Sequence, residues 1–197
     1  MRIGVLGAGQ VGRALAEGLA RHGHETRLAN RSGDAGGTYA DVADWAELVL
    51  LAVAGTAAVE VVTSVATELA GKVLVDATNP LDVSSGRAEL FVLGDDSLGE
   101  QVQRAVPQAR VVKAYNTVNN TLMVDPDLPG GPPTMLLAGN DLEAKHGIVQ
   151  LLESTGWDTA DLGGIECSRE LEQLCMAWVR IGVMSGTWGH AFKVLRG

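Results

Sequence analysis

With 197 residues the chain has room for one well-buried domain and a small extension, and hardly for a second full domain. Its composition, 46% apolar and only 20% charged, excludes a disordered protein, and a net charge of −9 speaks against nucleic acid or an anionic membrane as partner. An anionic small-molecule ligand would need local cations.

The chain opens on a short apolar run with a β-branched bias, Arg2 to Leu6, which stops at Gly7. Gly7-Ala8-Gly9-Gln10-Val11-Gly12 then begins a segment of helical period, with Val11, Ala14, Leu15 and Leu19 at steps of three and four, closing at Arg21-His22-Gly23. Strand, glycine turn and helix start in that order give the spacing G-x-G-x-x-G a mechanical sense. Gly7 allows the tight turn, Gly9 lets backbone approach a pyrophosphate, and Gly12 lets the helix pack on the strand. Free N–H groups at the helix start would hold the phosphates.

A second strand, Glu25 to Ala29, ends at Asn30-Arg31-Ser32. An NAD site normally places Asp or Glu there, roughly 20 residues past the motif, to accept from the ribose 2′-hydroxyl. A guanidinium and a hydroxyl, with no carboxylate at that spot, suit a 2′-phosphate instead, so the expected cofactor is NADP(H).

After a glycine-rich loop, Tyr39 to Glu47 reads as a short helix, and Leu48 to Val53 is apolar on both faces, as in a parallel strand covered from both sides. Ala54-Gly55-Thr56 leaves room for a cofactor, a helix is expected from about Ala57 to Ala70, and Lys72 to Asp76 forms the next strand, closing in Ala77-Thr78-Asn79-Pro80-Leu81. Residues 82–94 give no clear pattern. A helix over Ser97 to Val106 precedes a strand over Arg110 to Ala114, which leads into Tyr115-Asn116-Thr117-Val118. Beyond the proline-rich loop 125–133 come a strand over Thr134 to Ala138, a helix over Leu142 to Ser154, a strand over Trp157 to Leu162, and a mainly helical stretch from Ser168 to Leu195 whose apolar arc is too wide for a solvated helix. Strand–helix alternation of this kind implies an α/β chain: a Rossmann-type, doubly wound, mostly parallel sheet over residues 1–165, and a small C-terminal helical extension over 166–197 that faces the substrate pocket or another subunit.

Ligands bind such sheets at the carboxyl ends of the strands. Hydride chemistry there needs the nicotinamide C4 facing an acceptor with water excluded, and a carbonyl or imine acceptor also needs a proton donor. Lys113 and Tyr115 lie near that edge, two residues apart and so expected on one face. Lys113 reads as a strand-end residue with its amine in solvent, while Tyr115 is open between packing and lining the pocket. Of His22, His24, His146 and His190, only His190 could approach a ligand. Cys167 and Cys175 match no metal spacing and read as two core thiols of a reducing cytosol; no metal set and no Ser/His/Asp set can be assembled. The N-terminus enters a strand without a signal-peptide pattern, and no apolar run approaches the length of a membrane span, so a cytoplasmic protein is expected.

Gly7 to Gly12, the Asn30-Arg31-Ser32 turn, Asp76 to Leu81, Val112 to Thr117 and the ending Ala191 to Arg196 together resemble the NADPH-dependent coenzyme F420 reductases, small dinucleotide-binding enzymes related to the cytosolic domain of STEAP-type ferric reductases. The resemblance runs through the chain in order. It implies a Rossmann domain with a small helical part, usually dimeric, that passes a hydride between NADPH and a deazaflavin. It places the NADP site on Gly7, Gly9, Gln10, Val11, Gly12, Asn30, Arg31 and Ser32. The nicotinamide and deazaflavin would lie along Ala54, Asn79, Pro80, Ala114, Tyr115, Asn116, Thr117 and Val118, with Tyr115, Asn116 and Thr117 as the candidate catalytic group. One departure stands out: deazaflavin reductases of this family carry a histidine where this chain has Asn116, although many members share the Asn. The residues leave two other readings open, an NADPH-dependent reductase of a flavin, imine or ketone, and an NADP(H)-binding sensor without catalysis.

Overall fold

The computed structural model describes residues 1–197. Its strands are β1 (Arg2–Leu6), β2 (Glu25–Ala29), β3 (Leu48–Leu51), β4 (Val73–Asp76), β5 (Leu81–Asp82), β6 (Glu89–Leu90), β7 (Arg110–Lys113), β8 (Thr134–Gly139) and β9 (Asp158–Asp161). The helices are α1 (Gln10–Arg21), α2 (Tyr39–Trp45), α3 (Gly55–Ser64), α4 (Ala66–Leu69), α5 (Leu98–Ala105), α6 (Leu142–Ser154) and α7 (Ser168–Ser185). Seven strands form one sheet in the order β2-β1-β3-β4-β7-β8-β9, parallel except where β8 runs against β7, and β5 and β6 form a separate antiparallel hairpin. This is the Rossmann-type, doubly wound architecture. The strand order reverses at β1 and β3, so a crevice opens where their carboxyl ends part.

Alternation along the strands sorts the core onto two faces. Ile3, Val5, Leu48, Leu50 and Val112 point to one side, where α1 and α6 pack with Leu15, Leu19, Ile148 and Leu152. Leu6, Val49, Leu51, Leu74 and Val111 point to the other, against α2, α3 and α5. Both faces of β3 are buried, which is why its sequence shows no alternation. No helix is long and apolar enough to cross a membrane.

Three local readings are corrected. The single helix expected over Ala57 to Ala70 starts earlier, at Gly55, and breaks at Val65 (φ −129°, ψ 26°). Just before the break the Thr63 and Ser64 hydroxyls donate to the carbonyls of Val59 and Val61, competing with the helix for its own acceptors. Residues 82–94, silent in the sequence, hold the hairpin, whose two-residue strands are too short to show a period.

The C-terminal stretch is not helical to Leu195. Gly186, in the left-handed region at φ 69°, ends α7, and the tail folds back over it. Trp188 and His190 pack on Trp178, with ring centroids 5.3 and 5.0 Å away, and a side chain at Gly182 would run into the Trp188 ring. The tail then meets β8, the Thr134 N–H donating to the Phe192 carbonyl at 2.9 Å.

Candidate functional site

The predicted site residues fall along one edge of the sheet, and close contacts tie them into a continuous line. At the end of β1, Gly7 has φ 125°, and a side chain there would collide with the Ala52 carbonyl at the end of β3. Its N–H donates to the Ala29 carbonyl at the end of β2 (3.0 Å). Gly12 lies so near the Gly7 carbonyl that only hydrogen fits between them. Gly9 differs: nothing lies within 4 Å of where its Cβ would stand, and it caps α1 with no side-chain bond to the helix N–H groups. Gly9 and Gln10 are exposed and Val11 half-buried. Open space beside unclaimed N–H donors at a helix start fits the phosphates of a dinucleotide.

The line continues through α3. Its cap, Ala54, is exposed, and Gly55 presses so close to the Asn79 carbonyl that a Cβ would overlap it. Asn79 in turn clasps the end of β7: its Nδ2 donates to the Asn116 carbonyl at 2.8 Å, and Asn116 Nδ2 donates to Asn79 Oδ1 at 3.0 Å and to the Leu171 carbonyl of α7 at 2.9 Å. Asn116 Oδ1 is buried without a partner. Pro80, Ala114 and Thr117 are buried beside these amides.

The ionisable candidates at this edge are placed differently from expectation. Lys113 does not reach solvent; it is fully buried, with its ammonium 2.8 Å from Asp76 and 3.0 Å from Glu172. Burial alone would lower its pKa, but the two carboxylates outweigh that and raise it, so the amine stays charged. Asp76 also accepts from the Thr78 N–H and hydroxyl, and Glu172 accepts from the N–H groups of Leu98 and Gly99 at the start of α5.

Tyr115 is not on the face of Lys113. Its backbone sits in the left-handed region at φ 63°, which reverses the alternation and turns the ring into the α1/α6 core. Its N–H meets Met135 Sδ at 3.2 Å, its hydroxyl has no partner, and burial pushes the phenol's pKa up. As placed, the phenol offers no proton to a ligand in the crevice. His190 is likewise a packing residue, stacked on Trp178. Cys175 is buried, and its thiol is pushed up to about 12 by desolvation, while Cys167 stands half-exposed just before α7; neither shares a site with another ligating group.

The turn at Asn30-Arg31-Ser32 holds carboxylates after all. Asp34 folds back to accept from Asn30 Nδ2 (2.5 Å) and Ser32 Oγ (2.9 Å), and Glu60 of α3 takes Arg31 Nη2 (2.8 Å). Asp34 was legible two residues past the turn. Glu60 was not, because α3 brings it in from 29 residues away.

Comparison with known proteins adds the family. The model of the NADP oxidoreductase, coenzyme F420-dependent family matches residues 2–80. A candidate F420-dependent NADP reductase of Arthrobacter sp. FB24, known from its crystal structure, is 41% identical over the whole of both chains, with a TM-score of 0.94. The F420-dependent NADP reductase of Methanothermobacter marburgensis is 28% identical over 93% of each chain. Rat metalloreductase STEAP3 is 27% identical over 88% of this chain, which spans only 36% of that protein's length. A glycine turn with open space beside unclaimed N–H donors at the sheet's switch point, and full-length similarity at 41% identity, lead to one assignment: the chain is an NADP-dependent oxidoreductase and belongs to the family of coenzyme F420-dependent NADP oxidoreductases.

Proposed function

We propose that the protein transfers a hydride between NADPH and the deazaflavin ring of coenzyme F420, directly from ring to ring. The observation that carries this reading is the withdrawal of both ionisable side chains near the crevice, Lys113 into a buried ion pair and Tyr115 into the core. What remains at the ends of β4 and β7 is amide, hydroxyl and proline. Such a surface orients a flat ring and excludes water, and it supplies no acid. Hydride exchange between two stacked rings asks for this, since the deazaflavin anion that the hydride leaves takes its one proton at a ring nitrogen from water, whereas carbonyl or imine reduction asks for a proton at the reacting group itself.

In this reading the α1 N-terminus with Gly7, Gly9, Gln10, Val11 and Gly12 binds the pyrophosphate, and Asn30, Arg31 and Ser32 bind the adenosine ribose end. NADPH, when bound, supplies the hydride from its nicotinamide. Ala54, Asn79, Pro80, Ala114, Asn116 and Thr117 position the rings, and the Asn79–Asn116 clasp fixes the crevice floor. A second copy would cover Ile181, Val183 and Met184, exposed along α7; a monomer mass by light scattering would refute that pairing.

Mixing the protein with NADPH and oxidised F420 is expected to bleach the deazaflavin's visible absorbance as NADPH is consumed. NADPH oxidation with a flavin, imine or ketone panel and none with F420 would overturn the assignment of the acceptor. Tight NADPH binding with no turnover against any acceptor would overturn catalysis itself.

A further inference from the structure

Each side chain at the end of β2 donates to one of the protein's own anions. Asp34 Oδ1 takes both Asn30 Nδ2 and Ser32 Oγ, and Glu60 takes the Arg31 guanidinium. The loop is shaped for this. Gly33 at φ 81°, Gly36 at φ 148° and Gly37 at φ 154° supply left-handed backbone on both sides of Asp34, the Gly33 N–H donates to Asn30 Oδ1 at 2.8 Å, and the Asn30 N–H donates to the Gly37 carbonyl at 3.3 Å. The chain is thereby folded back so that one carboxylate bridges two side-chain donors. Both carboxylates are exposed, so either can turn away into water.

We propose that Asp34 is a specificity-determining residue of the cofactor site: its carboxylate stands, in the free protein, where the 2′-phosphate of NADP(H) binds, and the phosphate enters by displacing it and by drawing Arg31 from Glu60. This rests on the reading of the Asn30–Ser32 turn as the adenosine ribose subsite. A phosphate monoester brings more charge and more acceptor oxygens than the carboxylate it replaces, so the exchange favours NADP(H). With NAD(H) there is nothing to displace Asp34, and its carboxylate is free to accept from the ribose 2′-hydroxyl. The residue therefore opposes one cofactor and assists the other, and sets the ratio between them.

The test is equilibrium binding of NADPH and of NADH, each followed by cofactor fluorescence, on the wild-type chain and on Asp34→Asn, Asp34→Ser and Arg31→Ala. Neutralising Asp34 removes a carboxylate that competes with the phosphate for the same donors; a like charge left about 4 Å away would cost about fivefold in water, and a gain in NADPH affinity of about that size is expected. NADH affinity is expected to stay level or fall, and the NADPH gain to shrink at high salt. Arg31→Ala is expected to weaken NADPH by about one to two decades through the lost charge-assisted contact. Unchanged NADPH affinity in both Asp34 variants, with Arg31→Ala still weakening it, would overturn the role of Asp34 and leave the subsite standing. No effect from any of the three would overturn the subsite, and the inference with it. Weaker NADPH binding in both Asp34 variants would show that the carboxylate orders the turn for the phosphate, again overturning the proposal. Asp34 is exposed, and a thermal melt of each variant confirms that affinity is read on folded protein.

Discussion

Lys113→Met is expected to destabilise the protein by about 3 to 5 kcal/mol, the range found when one partner is removed from a buried ion pair. The ammonium is fully buried between Asp76 and Glu172, and methionine fills the volume without the charge. Two carboxylates would then face each other in the core, with only hydrogen bonds to hold them: those of Thr78 on Asp76, and those of the α5 start on Glu172. Against a typical total of about 5 to 15 kcal/mol, this is enough to leave the chain marginal. Urea unfolding at neutral pH measures the loss, and adding Asp76→Asn to Lys113→Met is expected to restore part of it by removing one stranded charge. A loss under about 1 kcal/mol would refute the burial of the pair. Because the pKa of Lys113 is raised above 10.5 in the folded state, its contribution is fully present below that value and is lost as pH rises beyond it. The wild-type advantage from this group should therefore be flat across neutral pH.

Gly9→Ala and Gly12→Ala, three residues apart on one turn, are expected to fail in opposite ways. At Gly12 the new methyl collides with the Gly7 carbonyl and approaches Val5, so β1 and α1 must separate; a cost of about 1 to 3 kcal/mol or more follows, as for other overpacked sites. At Gly9 the methyl meets no protein atom, and the backbone at φ −75° is open to any residue, so the melting temperature should shift little, with at most about 1 kcal/mol lost at the helix cap. In the proposed site the same methyl projects into the space that would take the pyrophosphate. NADPH affinity is expected to fall about ten- to a hundredfold, since each decade corresponds to about 1.4 kcal/mol. Thermal melts without cofactor and NADPH titrations separate the two outcomes, and wild-type affinity in Gly9→Ala would remove the phosphates from this turn.

Features set by local chemistry were readable in the sequence. β1, α1, β2 and α6 emerge with nearly the expected bounds because glycine turns, a C-terminal glycine and regular apolar periods all act within a few residues. Features set by tertiary charge were not. Lys113 and Asp76 end neighbouring strands in the same register, a pairing visible only once the strand order is known. Glu172 did leave a trace, since it interrupts an apolar stripe of α7 formed by Leu171, Cys175 and Trp178, and a carboxylate inside such a stripe needs a buried partner. The turn of Tyr115 left none: nothing in Ala114-Tyr115-Asn116 announces a positive φ, and a rule of strict alternation puts the ring on the wrong side. The Asn79–Asn116 clasp was legible as a place, two polar clusters at strand ends, but not as a bond.

The three-membered ion cluster also bears on the order in which the molecule can be assembled. Asp76 and Lys113 lie on adjacent parallel strands and neutralise each other within the sheet alone. Glu172 adds a negative charge that is balanced only when α7 docks and the start of α5 offers its two N–H groups. A sheet still lacking its last helix therefore holds a balanced pair and no stranded charge. Docking of α7 brings Leu171 to Asn116 in the same movement, so the crevice floor is complete only once that helix is in place.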